Sequence, residues 1–283
     1  MAVPVAGQAA VARRVVLHLV LIVLALLWML PVYALVLTAL KSNSQVIAKP
    51  FWSAPERIAI WENAQAAWKR GRMGEFFINS VIYASVSGVG AVFFASMAAF
   101  VVARLRLRAG NLLFYLFMLG TFFPFQMYLV PLVKMAHAGG WYNTREGLML
   151  VYIAIAIPFA VFVMRNYFVT IPQDLFDSAV VDGLSTFQIY TKIFLPLAKP
   201  ALAVGIIFQF VWIWNDFLFG LVLTSSPKAR PVATGLAFLA GYYTLDWATL
   251  AAGTLIASLP TVLVYVLLQR YFVRGILAGA IKG

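Results

Sequence analysis

Long apolar runs separated by short polar stretches organise this chain. Six windows are apolar enough and long enough to cross a bilayer, near 15–40, 77–103, 111–133, 148–168, 201–223 and 248–272. A spanning helix takes about 20 mostly apolar residues. Pro31, Pro124, Pro158 and Pro260 fall inside the windows. Within a bundle such prolines are expected to kink a helix rather than break it. The pattern predicts an all-α integral membrane protein, a single domain over 1–283 with six transmembrane helices and both termini on one side.

One polar stretch between the runs, Ile171 to Pro200, is dense in structural signals. Pro172 occupies a first-turn position with Asp174 just after it, which starts a helix. Leu175 with Ala179, and Phe176 with Val180, are i,i+4 pairs that give it an apolar stripe. Gly183 stops it, because glycine takes a left-handed C′ conformation at little cost. Ser185 with Gln188 forms a capping box for a second helix. Phe187, Tyr190 and Phe194 are expected on one face of that helix, and Pro196 and Pro200 are expected to end it. Short isolated helices are marginal in water, so this helix–Gly–helix unit needs a surface to pack on. Its acids Asp174, Asp177 and Asp182 disfavour the anionic inner leaflet. The unit therefore reads as a docking element for a protein partner, rigid enough to pass displacement to the flanking spans.

Composition sharpens the membrane assignment. The chain is 64% hydrophobic and 11% charged, against about 45–50% and about 25% in soluble domains. The net charge of +12 is spread over the ends of apolar runs. That suits lipid headgroups and loop orientation rather than nucleic acid. Arg104, Arg106 and Arg108 crowd one short loop and Arg13–Arg14 abut the first span, which places both termini in the cytoplasm. Val15 to Leu40 is too long for a signal-peptide core and reads as a retained anchor. Loop 41–75 then faces outward, with Trp52, Trp61 and Trp68 as interfacial anchors. A short amphipathic helix is expected near 56–69, with Ala59, Ile60, Asn63, Ala66 and Ala67 on one side.

Candidate chemistry is sparse. There is no cysteine, hence no disulfide or thiolate chemistry. No phosphate-binding Gly-x-x-x-x-Gly-Lys-Ser/Thr segment occurs. His18 and His137 lack second ligands at helical spacing, so no metal site is assigned. No catalytic constellation appears, and the chain does not read as an enzyme. Asp216, in the segment Trp212 to Phe217, is the one acid within a predicted span. Intramembrane acids are expensive and face a bundle interior or water, so Asn215 and Asp216 are candidates for a pathway or gate. A structural hydrogen-bonding role for Asp216 remains the other reading. A function class that would use it differently is an ion-coupled secondary transporter, although such proteins ordinarily carry more than one such group.

The segment P-x-D-L-F-D-S-A-V-V-D-G-L-S resembles the "EAA" loop of ABC importer permeases, in the sugar-type branch similar to the small permease of maltose transporters. Further matches run in order along the chain. They are Asn79–Ser80, Ala98 to Leu107, Phe122 to Pro124, Leu129 to Leu132, Trp214 to Phe217 and the closing Gly275 to Gly283. The resemblance implies the permease domain of an ATP-driven importer of a carbohydrate or related solute in the bacterial inner membrane. It also implies a second, homologous permease, two cytoplasmic ATP-binding subunits that hold ATP and Mg, and an extracytoplasmic solute-binding protein. No cofactor is implied for this chain itself. The ATPase-coupling positions would be Asp174, Leu175, Asp177, Ser178, Ala179, Asp182 and Gly183. The chain departs from the pattern with D-S-A in place of E-A-A and Leu184 in place of a small residue.

Overall fold

A computed structural model describes residues 6–105, 107–242 and 246–280. Arg106 and the closing residues 281–283 of the last motif lie outside the described residues. The elements in order are α1 (Ala6–Leu40), α2 (Asn43–Ala48), α3 (Ile60–Lys69), α4 (Met73–Arg104), α5 (Gly110–Phe122), α6 (Leu129–Ala138) and α7 (Arg145–Thr170). Then come α8 (Gln173–Val181), α9 (Thr186–Leu197), α10 (Lys199–Trp214), α11 (Leu218–Leu223), α12 (Val232–Tyr242) and α13 (Trp247–Ala280). The described residues fall into two compact units, one drawn from 6–70 with 239–242 and 246–256, the other from 71–105, 107–238 and 257–280.

Four helices among the described residues are long and apolar enough to cross a membrane, or five when the bent pair α9–α10 is taken as one span. Pro31, Pro158 and Pro260 lie inside continuous helices, as expected. Pro124 does not. The window 111–133 is broken between α5 and α6, with Phe123 and Pro124 extended and one 3₁₀ turn at Phe125–Met127. Pro124 supplies no N–H and pushes the preceding residue out of the helical region, so the helix ends there. The window 201–223 is also interrupted, at 215–217 between α10 and α11.

In the first unit Ala39, Ala251 and Ala252 form a small core with Leu35, Ile60 and Leu255 packed on it. The Asn63 amide donates to the carbonyls of Ala39 and Lys41, each at 2.8 Å, and satisfies the end of α1. Lys41 is buried, its ammonium donating to the Phe51 carbonyl (2.7 Å) and the Ser53 hydroxyl (3.1 Å). The expected amphipathic helix is α3, with Ala59, Asn63 and Ala67 inward and Trp52, Trp61 and Trp68 exposed.

The second unit is framed by α4, α7 and α10. Its core runs through Val92, Ala95, Ala99 and Phe100 of α4, Ala160, Val161, Met164 and Phe168 of α7, and Ala201 of α10. Small residues let these helices approach closely, as is usual inside membranes. At one end the segment 224–231 is tied down. Asn143 Oδ1 accepts from the N–H groups of Ser225 and Ser226 (both 2.9 Å), Asn79 donates to the Arg230 carbonyl (2.9 Å), and Tyr83 donates to that of Ala229 (2.6 Å).

Candidate coupling surface and pathway residues

The polar stretch folds as two capped helices. Gly183 has φ +80°. Leu184 N–H donates to Ala179 O (3.1 Å) and Gly183 N–H to Val180 O (3.0 Å). These are the two bonds of a Schellman turn, and Leu184 packs into the same core as Ala179. Ser185 and Gln188 close both halves of the capping box, at 3.3 and 2.9 Å. Pro172 precedes the first helical residue, Gln173. Pro196 does not end α9, which runs to Leu197. Pro200 instead sits in the first turn of α10, where its missing N–H is not needed. The two helices meet at buried Ala198 with a 76° bend.

The inner face of this unit is fixed to two spans. Ala179, Ile189, Tyr190 and Phe194 are buried, with Phe176 and Leu184 partly so. Phe100 of α4 is the hub, its ring centroid 5.1 Å from Phe194, 5.3 Å from Tyr190, 6.1 Å from Phe168 and 6.2 Å from Phe176. The hydroxyls of Tyr190 and Ser96 pair at 2.6 Å. Phe187, expected on the same face as Tyr190 and Phe194, points out instead and is 65% exposed.

Arg104, the last residue of α4, is a structural joint that the sequence pattern showed only as a topogenic charge. It is 6% exposed. Its guanidinium donates to the carbonyls of Phe168 and Ile171 and to Gln173 Oε1 (3.0 Å), and it lies over the Phe194 ring, 5.1 Å from the centroid. It thus joins the end of one span to the end of another and to the start of α8. The five donors of a planar guanidinium suit such a junction.

The outer face carries the remaining candidates. Asp174, Leu175, Asp177, Ser178, Asp182 and Gly183 are exposed, as are Val180 (52%) and Val181 (86%). Gln173 donates to Asp177 Oδ1 at 3.1 Å, and Ser178 Oγ donates to the Leu175 carbonyl at 3.3 Å. Ala179 separates from its neighbours in the D-S-A triplet. It is 3% exposed and supports the helix from beneath.

Asn215 and Asp216 lie in the break between α10 and α11, not within a continuous span as expected. Asp216 Oδ2 accepts from the Tyr152 hydroxyl (2.8 Å) and from the N–H groups of Phe219 and Gly220 (3.1 Å each). Asn215 donates to the Val211 carbonyl at 2.7 Å. A carboxylate is well placed there because the first turn of α11 has N–H groups without helical partners. This favours the structural reading of Asp216 over an ion-carrying one.

Comparison with known proteins agrees with this architecture. Residues 91–278 match the family described as binding-protein-dependent transport system inner membrane component. The osmoprotective compounds uptake permease protein GgtD of Synechocystis sp. is 33% identical over 276 residues, covering 95% of this chain and 93% of that protein. The trehalose/maltose transport system permease protein MalG of Thermococcus litoralis is 36% identical over 208 residues, covering 72% and 74%. A solved bacterial ABC transporter involved in import of the acidic polysaccharide alginate superposes with a TM-score of 0.79 at 21% identity. The match covers 95% of this chain and all of that one, and it supports the shared fold.

Proposed function

The chain belongs to the family of binding-protein-dependent transport system inner membrane components, the permease subunits of ABC importers, and from that premise we propose how it is driven and what it carries. The α8–Gly183–α9 unit docks on a cytoplasmic ATP-binding subunit. One observation carries this reading. The unit is anchored rigidly to α4 and α7 through Phe100 and Arg104, while its opposite face leaves Leu175, Val180, Val181 and Phe187 exposed beside three acids. A free surface loop gains nothing from such an arrangement, whereas a partner with an apolar cleft and a basic rim covers it.

The assembly has a second, homologous permease, two ATP-binding subunits and an extracytoplasmic solute-binding protein, with both termini of this chain in the cytoplasm. ATP and Mg, held by the ATP-binding subunits, supply the free energy. This chain converts closure of those subunits into a change in packing of its spans. Its residues move no electrons and break no bonds. The coupling free energy is the difference in docking strength between the two span arrangements. The solute is a carbohydrate or a related compound, by analogy with the trehalose/maltose relative. The osmoprotectant relative widens the class to related compatible solutes.

Val181→Arg tests the docking. It changes a residue that is 86% exposed, so membrane insertion and the thermal stability of the isolated permease are expected to stay at wild-type values. Uptake by the reconstituted complex is expected to fall at least tenfold, and the ATP-binding subunits to dissociate more readily during purification. Wild-type uptake by Val181→Arg overturns the docking assignment.

A further inference from the structure

Arg165 lies on α7 five residues before the helix ends at Thr170, and Phe114 lies on α5 four residues after that helix starts at Gly110. At about 1.5 Å per residue they stand roughly 7.5 and 6 Å inside the ends of their helices. The two ends coincide, because the Arg165 guanidinium lies over the Phe114 ring with Cζ 4.4 Å from the centroid. We infer that this pair forms a binding site for the phosphate of an anionic phospholipid, with the terminal nitrogens of Arg165 as donors and Phe114 as the plate that holds the guanidinium flat. The site is independent of the transported solute, and the orientation proposed above makes its leaflet the cytoplasmic one.

A charged side chain inside a span needs a partner: another charge, a backbone carbonyl or water. Arg104, at the same end of α7, has its partners within this chain, in the carbonyls of Phe168 and Ile171 and in Gln173. Arg165 is provided for differently. Its side chain is half-buried, and its Nε is buried with no acceptor among the described residues. None of the three ion pairs among the described residues involves it. The Phe114 ring attracts the cation, yet a ring face gives no oxygen lone pairs to the guanidinium N–H groups. A phosphate gives them in the right geometry, since two of its oxygens match the planar fork of an arginine.

The surroundings select a lipid over a soluble anion. Phe162 and Val169, at i−3 and i+4 from Arg165 and so on its side of α7, are both exposed. Leu113 and Tyr115, on either side of Phe114 on α5, are exposed as well. A cation at a helix end bordered by bare apolar side chains fits a headgroup with acyl chains below it. Tyr115, amphipathic and outward, suits the same depth. Arg108, exposed in the loop that leads into α5, adds a second positive charge at this end. Basic pockets between helices on the cytoplasmic side hold anionic headgroups. Two cations favour a lipid of net negative charge over a zwitterionic one, whose own ammonium they repel.

The test uses the complete transporter with its partner subunits, purified in detergent. It is titrated with phosphatidylglycerol or with phosphatidylcholine of the same acyl chains, and lipid held by the permease is read by native mass spectrometry. The wild type is expected to bind phosphatidylglycerol about tenfold more tightly, as for one charge-assisted contact. Arg165→Gln should abolish that preference and Phe114→Leu should weaken it. Arg165→Lys should keep part of it, since an ammonium lacks the planar fork. Lys134→Gln, which removes the same charge from an exposed position on α6, should leave it unchanged. A photoactivatable phosphatidylglycerol locates the lipid on the wild type itself, with crosslinks expected in 110–116 and 162–169. That map decides the matter should Arg165→Gln fail to assemble. Crosslinks confined to other segments overturn the inference, as does a wild type without preference or a preference that survives in Arg165→Gln. Displacement of the bound lipid by millimolar inorganic phosphate marks a soluble-anion site and overturns the lipid assignment.

Discussion

Replacing Gly183 isolates backbone strain from packing. Its φ of +80° lies in a region that L-residues avoid, yet a Cβ built there meets no atom of this chain within 4 Å. The cost of a substitution is therefore conformational and not steric. A left-handed residue costs roughly 1–2 kcal/mol, and only Gly, Asn and Asp visit the region routinely. Asn should cost least, Ala about 1 kcal/mol and β-branched Val about 2 kcal/mol, the last because branching narrows the allowed backbone further. At about 1.4 kcal/mol per factor of ten, Val lowers the population of the correctly closed turn roughly thirtyfold relative to its competitors. Those competitors lose the Leu184-to-Ala179 bond and turn the outer face of α8 away from its docking position. The assay is solute taken up per ATP hydrolysed in proteoliposomes containing the full complex. The expected order is Gly, then Asn, Ala and Val, with hydrolysis persisting while uptake falls. Wild-type coupling in Gly183→Val refutes the reasoning. Equal failure of Asn, Ala and Val refutes it in another way, since it would mean that a partner backbone presses on the space above Gly183 and that volume, not strain, decides.

Two further substitutions test the joints around this turn. Arg104→Ala removes the guanidinium donor from the Ile171 and Phe168 carbonyls, the latter keeping only the Ile171 N–H at 3.1 Å, which should destabilise the permease by about 1–3 kcal/mol. Arg104→Lys should recover only part of this, since an ammonium lacks the planar fork, and thermal unfolding of the purified permease measures both. Asp216→Asn keeps an oxygen that caps α11 and accepts from Tyr152, so uptake should persist, remain dependent on the ATP-binding subunits and be indifferent to a collapsed proton or sodium gradient. Abolition of uptake together with ATP-independent, gradient-driven flux in the wild type would restore the ion-coupled reading.

The legible features were local. Gly183, Ser185 and Gln188 act within a few residues of themselves, and each does what its chemistry predicts. The continuous spans α1, α4, α7 and α13 follow from the length of the apolar runs. The features that stayed hidden depend on residues far apart in the chain. Arg104 is 64 and 67 residues from the carbonyls it satisfies, so nothing in its neighbourhood separates a buried joint from a loop charge. Ala179 and Leu175 share one apolar stripe in the sequence, yet Ala179 is buried in the core with Phe100 and Phe168 while Leu175 is exposed. Pro124 differs from Pro158 and Pro260 in its surroundings. Pro158 and Pro260 lie far inside long helices, where the flanking turns continue the hydrogen-bond ladder. Pro124 follows Phe123 in the extended conformation at the end of α5, so no helical ladder continues across it.

The two breaks show how polar backbone is accommodated at this depth. An unsatisfied N–H or C=O in hydrocarbon costs several kcal/mol, so each break needs its own partners. At the first, Pro124 removes one donor, Met127 and Tyr128 N–H groups close a tight turn onto Pro124 and Phe125 (3.0 and 3.3 Å), and Thr121 donates back to Met118 (2.7 Å). At the second, Asp216 collects two N–H groups of α11 while Asn215 takes a carbonyl of α10. The first solution is made from residues at the break itself, while the second also draws on Tyr152 of α7, which donates to Asp216 at 2.8 Å, and on Thr234 of α12, which donates to the Phe217 carbonyl at 3.2 Å. The interrupted segments border a cavity, whereas helices α4 and α7 hold Phe100, Arg104 and Phe168 in one frame. Displacement at the proposed docking face would therefore travel along α4 and α7 as whole bodies. Its effect would be felt where the broken segments meet Trp212 and Phe125, because those are the places where the backbone already has an alternative to the helix.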